Sequence, residues 1–236
     1  MGKIGYGYGS EWHLLRYLGY HRNYLNEQIL KLTGGQDLKW LEFNFSKVNA
    51  PLKRDKELVG LEFIDNADVQ RKWYAFWPQS GSAQNWDGVG KICVDGKEEW
   101  LLVEAKAHKK ELNSPCKAQS ERSKAKIRFS LEKTKNAFSG SKSTVDNWLS
   151  PYYQYANRLA VLYFLMDECN PPVPARLLSI FFVGDQRTDA DCPQSAEEWE
   201  PVLGEMDDWL AIDHRRSLLA RVHHLFLPVN PEAILA

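Results

Sequence analysis

The sequence contains no run of about 18 apolar residues, so nothing in it reads as a membrane-spanning helix. Its opening, Met1-Gly2-Lys3-Ile4-Gly5-Tyr6, lacks the apolar stretch of a secretory signal, and a cytoplasmic protein with no membrane partner is expected. Cysteine is scarce and scattered: Cys93, Cys116, Cys169 and Cys192 form no C-x-x-C pair. Neither a zinc site nor a disulfide framework is indicated, and the thiols are expected reduced, with Cys93 and Cys169 in the core. No internal repeat or low-complexity tract occurs. The opening Gly-Tyr-Gly-Tyr-Gly lacks the flanking strand and following lysine of a phosphate loop, so a partly ordered terminus is expected there. A net charge of −1 gives by itself no sign of a polyanionic partner.

What is present is 236 residues with 44% hydrophobic content, enough for one domain with a buried core. The charges are unevenly placed. From Lys106 to Lys142, nine Lys and two Arg face three Glu, whereas Asp189 to Asp213 holds nine carboxylates and no Lys or Arg. The two segments produce fields of opposite sign, which would draw a polyanion to one face, although, taken without a catalytic motif, a solvated basic helix and a solvated acidic helix are the favoured reading.

Residues 10–32 carry leucines and isoleucine at helical spacing, with Ser10 as N-cap and Gly34-Gly35 as the stop. The stretches Leu38–Val48, Leu58–Ile64 and Val69–Trp77 are aromatic and branched, which predicts strands. Asp87–Val94 and Glu99–Ala107 flank Asp95-Gly96, a strong hairpin signal because both positions tolerate positive φ. A basic helix over Pro115–Phe138 and a buried helix over 151–168, with Pro151 in its first turn and Tyr155, Leu159, Leu162 and Met166 along one stripe, are expected next. Leu177–Val183 is a continuous apolar run that suits a strand buried on both faces, so a βαβ crossover and a mixed sheet follow. An acidic helix near Ala196–Ile212 and a segment Ser217–Leu227, helix or strand, complete the chain. The fold class is α/β, a central mixed sheet flanked by helices, in one domain with its core over about residues 10–185 and an acidic appendage over 186–236.

Side chains alternate across a strand, so Trp100, Leu102, Glu104 and Lys106 share one face. Counting back from a two-residue turn at Asp95-Gly96 sets Asp87 opposite Glu104. A loop extended to Glu98 sets it opposite Lys106, and parity still keeps all three on one face; an odd loop, or a bulge at Gly88 or Gly90, would break this. Opposed Cβ atoms lie about 4.5–5.5 Å apart, and two carboxylates that close repel unless a cation or proton intervenes. Oxygen ligands alone suit Mg²⁺ or Mn²⁺, which would activate water and offset charge on a phosphodiester oxygen. Lys106 would then orient the water, stabilise the phosphorus centre by its charge, or act as general base.

Asp87 … Glu104-Ala105-Lys106, on a hairpin preceded by a helix and followed by a helix and a buried strand, resembles the PD-(D/E)xK nuclease superfamily over roughly Ser10 to Asp185. The resemblance implies a restriction-endonuclease-like core and a Mg²⁺-dependent nuclease, with DNA the expected substrate. It makes Asp87, Glu104 and the carbonyl of Ala105 the metal ligands, and Lys106 the group that assists the water. Trp86 stands where the family motif has proline. Gly9-Ser10-Glu11 resembles the G-S-E start of Holliday-junction-resolvase-like and some restriction-type members, which makes Glu11 a further site residue, against the alternative of a helix-dipole carboxylate. Gln154 resembles the glutamine of the Q-xxx-Y motif of RecB-like and lambda-exonuclease-like members, with Arg158 in the tyrosine position. Four residues apart, the two share a helical face and could contact a phosphate or orient Glu104. His108, on the face of Lys106, and the following Lys109 and Lys110 are candidate substrate contacts, beside the plainer reading of His108 as a surface histidine at a strand end. His223-His224 are expected to be structural. Two other functions fit the same residues: a nuclease-like binding or assembly module without catalysis, against which the intact trio argues, and a hydrolase of another phosphate ester, which the missing phosphate loop disfavours.

Overall fold

In the computed structural model, which describes residues 7–41, 58–79, 84–140 and 143–231, the expected helix over residues 10–32 is two helices. Helix α1 (Ser10–Gly19) ends at Tyr20-His21, and α2 (Arg22–Thr33) begins with Arg22 Nε donating to the Leu18 carbonyl at 2.6 Å. Gly9, not Ser10, is the N-cap of α1. Gly34 ends α2 at φ 69°, a left-handed conformation that costs least without a Cβ. Strand β1 (Gly35–Trp40) follows, and the part of the expected strand after Leu41 lies outside the described residues. Strand β2 (Leu58–Val59) is all that is extended of Leu58–Ile64; Leu61 and Ile64 reach the core from a turn.

Val69–Trp77, expected as a strand, is helix α3 (Ala67–Phe76). The Asn66 side chain caps it, accepting from the backbone N–H groups of Asp68 and Val69. Val69, Trp73 and Phe76, spaced by four and three, are all buried, so helical periodicity prevails over aromatic and β-branched composition. Strand β3 (Asn85–Trp86) pairs with β2 as a separate two-stranded sheet.

Strands β4 (Gly88–Val94) and β5 (Lys97–Lys106) form the expected hairpin, with Asp95 and Gly96 at φ 51° and 72°. The register runs from Val94 opposite Lys97 to Gly88 opposite Val103, which is the pairing of an even, two-residue turn. A single 3-10 turn (Lys109–Leu112) leads to α4 (Glu121–Phe138), which starts later than Pro115 because Ser120 caps it through the Ser123 N–H at 3.1 Å. After α5 (Val145–Leu149), α6 (Tyr153–Tyr163) continues as a wider turn over Phe164–Glu168; Pro151 precedes the helix and is not in its first turn. Tyr155 and Met166 are half-buried, whereas every residue from Ala156 to Leu162 is buried, so α6 is enclosed all round and has no single apolar stripe.

Strand β6 (Ala175–Val183) lies parallel to β5, completing the crossover through α4, α5 and α6. Helix α7 (Glu200–Leu210) and a 3-10 turn (Ser217–Arg221) lead to β7 (Val222–Pro228), parallel to β6. The sheet order is β1-β4-β5-β6-β7, antiparallel as far as β5 and parallel beyond it. The segment expected as an appendage thus supplies an edge strand, and it adds Trp199, Met206 and Leu210 to the core. On one sheet face, Leu14, Tyr17, Leu25 and Ile29 of α1 and α2 cover Leu101, Val103, Ala105, Ile180 and Phe182. On the other, residues of α3, α4, α6 and α7 pack on Trp86, Val89, Leu102, Leu177 and Phe181. The fold is therefore α/β, a five-stranded mixed sheet flanked by helices. All four cysteines are free thiols; Cys169 is buried, but Cys93, expected in the core, is only half-buried. Among the described residues no helix is long and apolar enough to cross a membrane.

Candidate active site

Alternation along β5 sends Leu101, Val103 and Ala105 to the α1–α2 side and Leu102, Glu104 and Lys106 to the other. Glu104 and Lys106 are 6% and 8% exposed, and Lys106 Nζ donates to Glu104 Oε1 at 2.5 Å. A buried carboxylate needs its charge met, and α6 supplies the rest. Gln154 Nε2 donates to Oε1 at 2.7 Å, while Arg158 Nε and its NH2 nitrogen each approach Oε2 at 2.8 Å. Burial alone would raise the Glu104 pKa, yet Arg158 and then Lys106 outweigh it and hold the group below the ordinary carboxylate value.

Arg158 is itself fixed. It donates to Asn157 Oδ1 at 2.8 Å and to the Asn85 carbonyl at 2.6 Å, and its guanidinium sits 4.7 Å from the centroid of the Trp86 ring. Trp86 is thus the platform on which Arg158 rests. Gln154 is placed by Ser114, whose Oγ accepts the Gln154 N–H at 2.8 Å in the first turn of α6, while the Ser114 carbonyl accepts from Tyr153 N–H at 2.9 Å. The chain leaving β5 is in this way stitched to the start of the helix that grips Glu104.

Asp87 stands one residue beyond the β4–β5 ladder, where β3 turns away. Its N–H donates to the Val103 carbonyl at 3.1 Å, and its Oδ2 accepts the Ala105 N–H at 2.7 Å. Burial, and then the charge of Glu104, push its pKa up to about 7; the Ala105 N–H, Lys106 and Arg158 offset this only in part. Among the described residues no ion pair joins Asp87 to a lysine or arginine, so the two carboxylates differ sharply: one is held ionised, the other is driven toward its neutral form.

The donor set fits a small hard cation. Among the described residues the Asp87 carboxylate accepts one hydrogen bond and makes no ion pair, the charge of Glu104 acts on it, and the Ala105 carbonyl points to the same edge of β5 as the Ala105 N–H that meets Asp87. Among the described residues no three His, Cys, Asp or Glu side chains converge as a cage. A Mg²⁺ site completed by water needs only one or two carboxylates.

Among the described residues, no hydrogen bond or ion pair joins the other sequence candidates, Glu11, His108, Lys109 and Lys110, to Asp87, Glu104 or Lys106. Glu11 is exposed at the start of α1, and no hydrogen bond or ion pair among the described residues joins it to Asp87 or Glu104. Its neighbours are anchored instead: Ser10 Oγ donates to Glu111 at 3.3 Å, and Gly9 N–H and His13 Nε2 meet the buried Asp185 at 2.9 and 2.8 Å. Burial keeps the His13 pKa below the ordinary imidazole value although Asp185 opposes that. His108 is half-buried beside Glu111 at 3.2 Å, Lys109 pairs with Asp191 at 3.2 Å, and Lys110 is exposed. The basic stretch is α4 and its flanks, and much of it is paired: Lys124 with Glu121, Arg128 with Asp146, Lys133 with Glu168, Lys135 with Glu132.

Sequence reasoning missed the support of the site. Asn85, Ser114, Asn157 and Glu111, which takes the Ala107 N–H at 2.8 Å, carry no motif that announces them. A cleft of about 610 Å³ adjoins the site, lined by Gln154 and Arg158 together with Trp77, Gln84, Lys117 and Ser120 among others. No family model matches this chain, and no curated protein or solved structure matches it either.

Proposed function

We propose that this chain is a divalent-cation-dependent nuclease that hydrolyses phosphodiester bonds, with DNA as the first substrate to test, on a restriction-endonuclease-like core running from α1 to β6. The observation that carries the proposal is the convergence of Asp87, Glu104 and Lys106 where β4 parts from β5, with Gln154 and Arg158 gripping Glu104. Asp87, Glu104 and the Ala105 carbonyl would hold Mg²⁺ or Mn²⁺. Bound there, such a cation supplies Lewis acidity and a lowered pKa for its water. Asp87 contributes the negative charge that such a partner favours over a proton. Lys106 would bring an ammonium to the place where charge develops on the phosphate, and its Nζ would orient the attacking water. Arg158 and Gln154 hold Glu104 in one orientation, so the ligand geometry is set before substrate arrives.

Incubation of single-stranded and duplex DNA and RNA with Mg²⁺ or Mn²⁺ tests this. Cleavage of at least one form, lost in Lys106→Ala, is expected; a wild-type protein that cleaves none of them overturns the proposal. One observation favours a second reading, a nuclease-like module that binds without cleaving: both Glu104 oxygens already accept hydrogen bonds from Lys106, Gln154 and Arg158. Calorimetry separates the two, since Mn²⁺ uptake that depends on Asp87 and Glu104 belongs only to the enzyme.

A further inference from the structure

Beside Glu104 the chain leaves a cleft whose lining mixes polar and apolar side chains and is not acidic. Among the described residues around it are five amide side chains, Gln84, Asn85, Gln119, Gln154 and Asn157, and two cations, Lys117 and Arg158, with no carboxylate. One of the amides is anomalous. Gln84 is 3% exposed, and among the described residues neither its Nε2 nor its Oε1 has a hydrogen-bond partner. A buried amide with both ends unmet is costly, and in native proteins such a group is normally satisfied by something. Gln84 lies three residues before Asp87, and the cleft shares Gln154 and Arg158 with the carboxylate cluster.

We infer that this cleft receives an unpaired nucleobase of the substrate strand, with the Gln84 amide as its edge-reading group; the inference rests on the nuclease reading of the adjacent site. An amide presents a donor and an acceptor side by side, and each nucleobase has an edge with the complementary pair. The volume lies within the range of small-ligand pockets and exceeds what one base needs. Trp77, stacked on Trp73 at 5.9 Å with an interplanar angle of 2°, and Tyr153 give the cleft aromatic walls. The strand's negative charge meets Lys117 and the capped N-terminus of α4 at Ser120, both on the rim. A base inside a duplex cannot present this edge, so single strands, or duplexes with an unpaired or flipped nucleotide, are the favoured ligands.

The test is binding of the full chain, without divalent ions, to a labelled single strand, to its paired duplex, and to a set of strands each carrying one abasic nucleotide. The single strand is expected to bind tighter than the duplex. One abasic position is expected to weaken binding at least about fivefold, the worth of one bidentate base contact, and Gln84→Met, close in volume, is expected to remove that sensitivity. The abasic set is read on wild-type protein, so it stands even if the variant misfolds. Nucleoside monophosphates competing as tightly as the strand would assign the base-edge chemistry to a free nucleotide and overturn the strand as its source. Cleavage that depends on Lys106, together with indifference to every abasic position and to Gln84→Met, overturns the base pocket and leaves the nuclease. Base-dependent binding with no cleavage of any substrate overturns the nuclease and leaves the pocket.

Discussion

Strand β5 buries two glutamates, and each is gripped by arginine. Glu99, 6% exposed near the turn, takes Arg176 at 2.6 Å and Arg221 at 3.0 Å, with His223 next to Arg176 at 3.1 Å. Glu104, equally buried at the other end, takes Arg158, Lys106 and Gln154. By burial and ion pairing the two are alike. They differ in their surroundings: among the described residues the ion-pair partners of Glu99 are two arginines, whereas Glu104 acts by charge on a second carboxylate, Asp87, and has a lysine two residues on and a cleft at its side. A buried Glu–Arg pair is thus a structural device in one place and part of a candidate centre in the other, and the unmet neighbouring charge is what separates them.

That contrast breaks most visibly under substitution of Lys106. Lys106→Ala is expected to lower Mg²⁺-dependent cleavage by on the order of 100- to 1000-fold, the size of losing one charge-stabilising donor in an active site, while Arg176→Met stays within a few-fold per folded molecule. Gel-based cleavage rates on oligonucleotides check this. Equal losses in both variants would erase the distinction. Next in size is Glu99→Ala, which strands Arg176 and Arg221 and is expected to cost about 3 kcal/mol in a denaturant titration, with Mn²⁺ binding intact.

Asp87 gives the contrast a pH dependence. Its pKa rises from 3.8 in the unfolded chain to about 7 in the fold, so folding takes up a proton between those values. The stability tied to that proton is fully present below about pH 4 and is lost as pH rises toward 7. In a chelating buffer, wild type is expected to lose on the order of 2–4 kcal/mol across that range relative to Asp87→Asn, whose amide does not titrate. Parallel pH profiles for the two proteins would show that burial and the charge of Glu104 do not raise the Asp87 pKa in the fold. The smallest effect belongs to Ser114→Ala, which removes the acceptor for Gln154 N–H: about 1 kcal/mol in stability, and a cleavage loss of a few-fold at constant substrate affinity.

The trio was legible in the sequence because a period of two and a turn that demands positive φ leave little freedom: Asp95-Gly96 sets the register, and parity sets the face. Gln154 and Arg158 were legible as a pair four residues apart on one helical face. Their partner was not settled, because a helix reaches a strand some fifty residues away only through a crossover whose docking depends on Ser114 and the chain around Pro151. The place of Glu11 was not legible for a related reason: Gly9 and His13 hold the start of α1 at Asp185, and a motif of three residues carries no information about that anchor. Helix α3 was hidden by composition, since Trp73, Phe76 and Trp77 look strand-like until the cap at Asn66 is counted. The cleft had no signature, because Gln84 and Ser120 meet only in the folded chain.

Mn²⁺ calorimetry above pH 7, where Asp87 is ionised, tests the site most directly, run on wild type, Asp87→Asn, Glu104→Gln and Glu99→Gln. Uptake of Mn²⁺ by wild type and Glu99→Gln, weakened at least tenfold in Asp87→Asn and Glu104→Gln, is the expected result. Absence of binding in wild type, or binding that the Asp87 and Glu104 substitutions leave untouched, would contradict it.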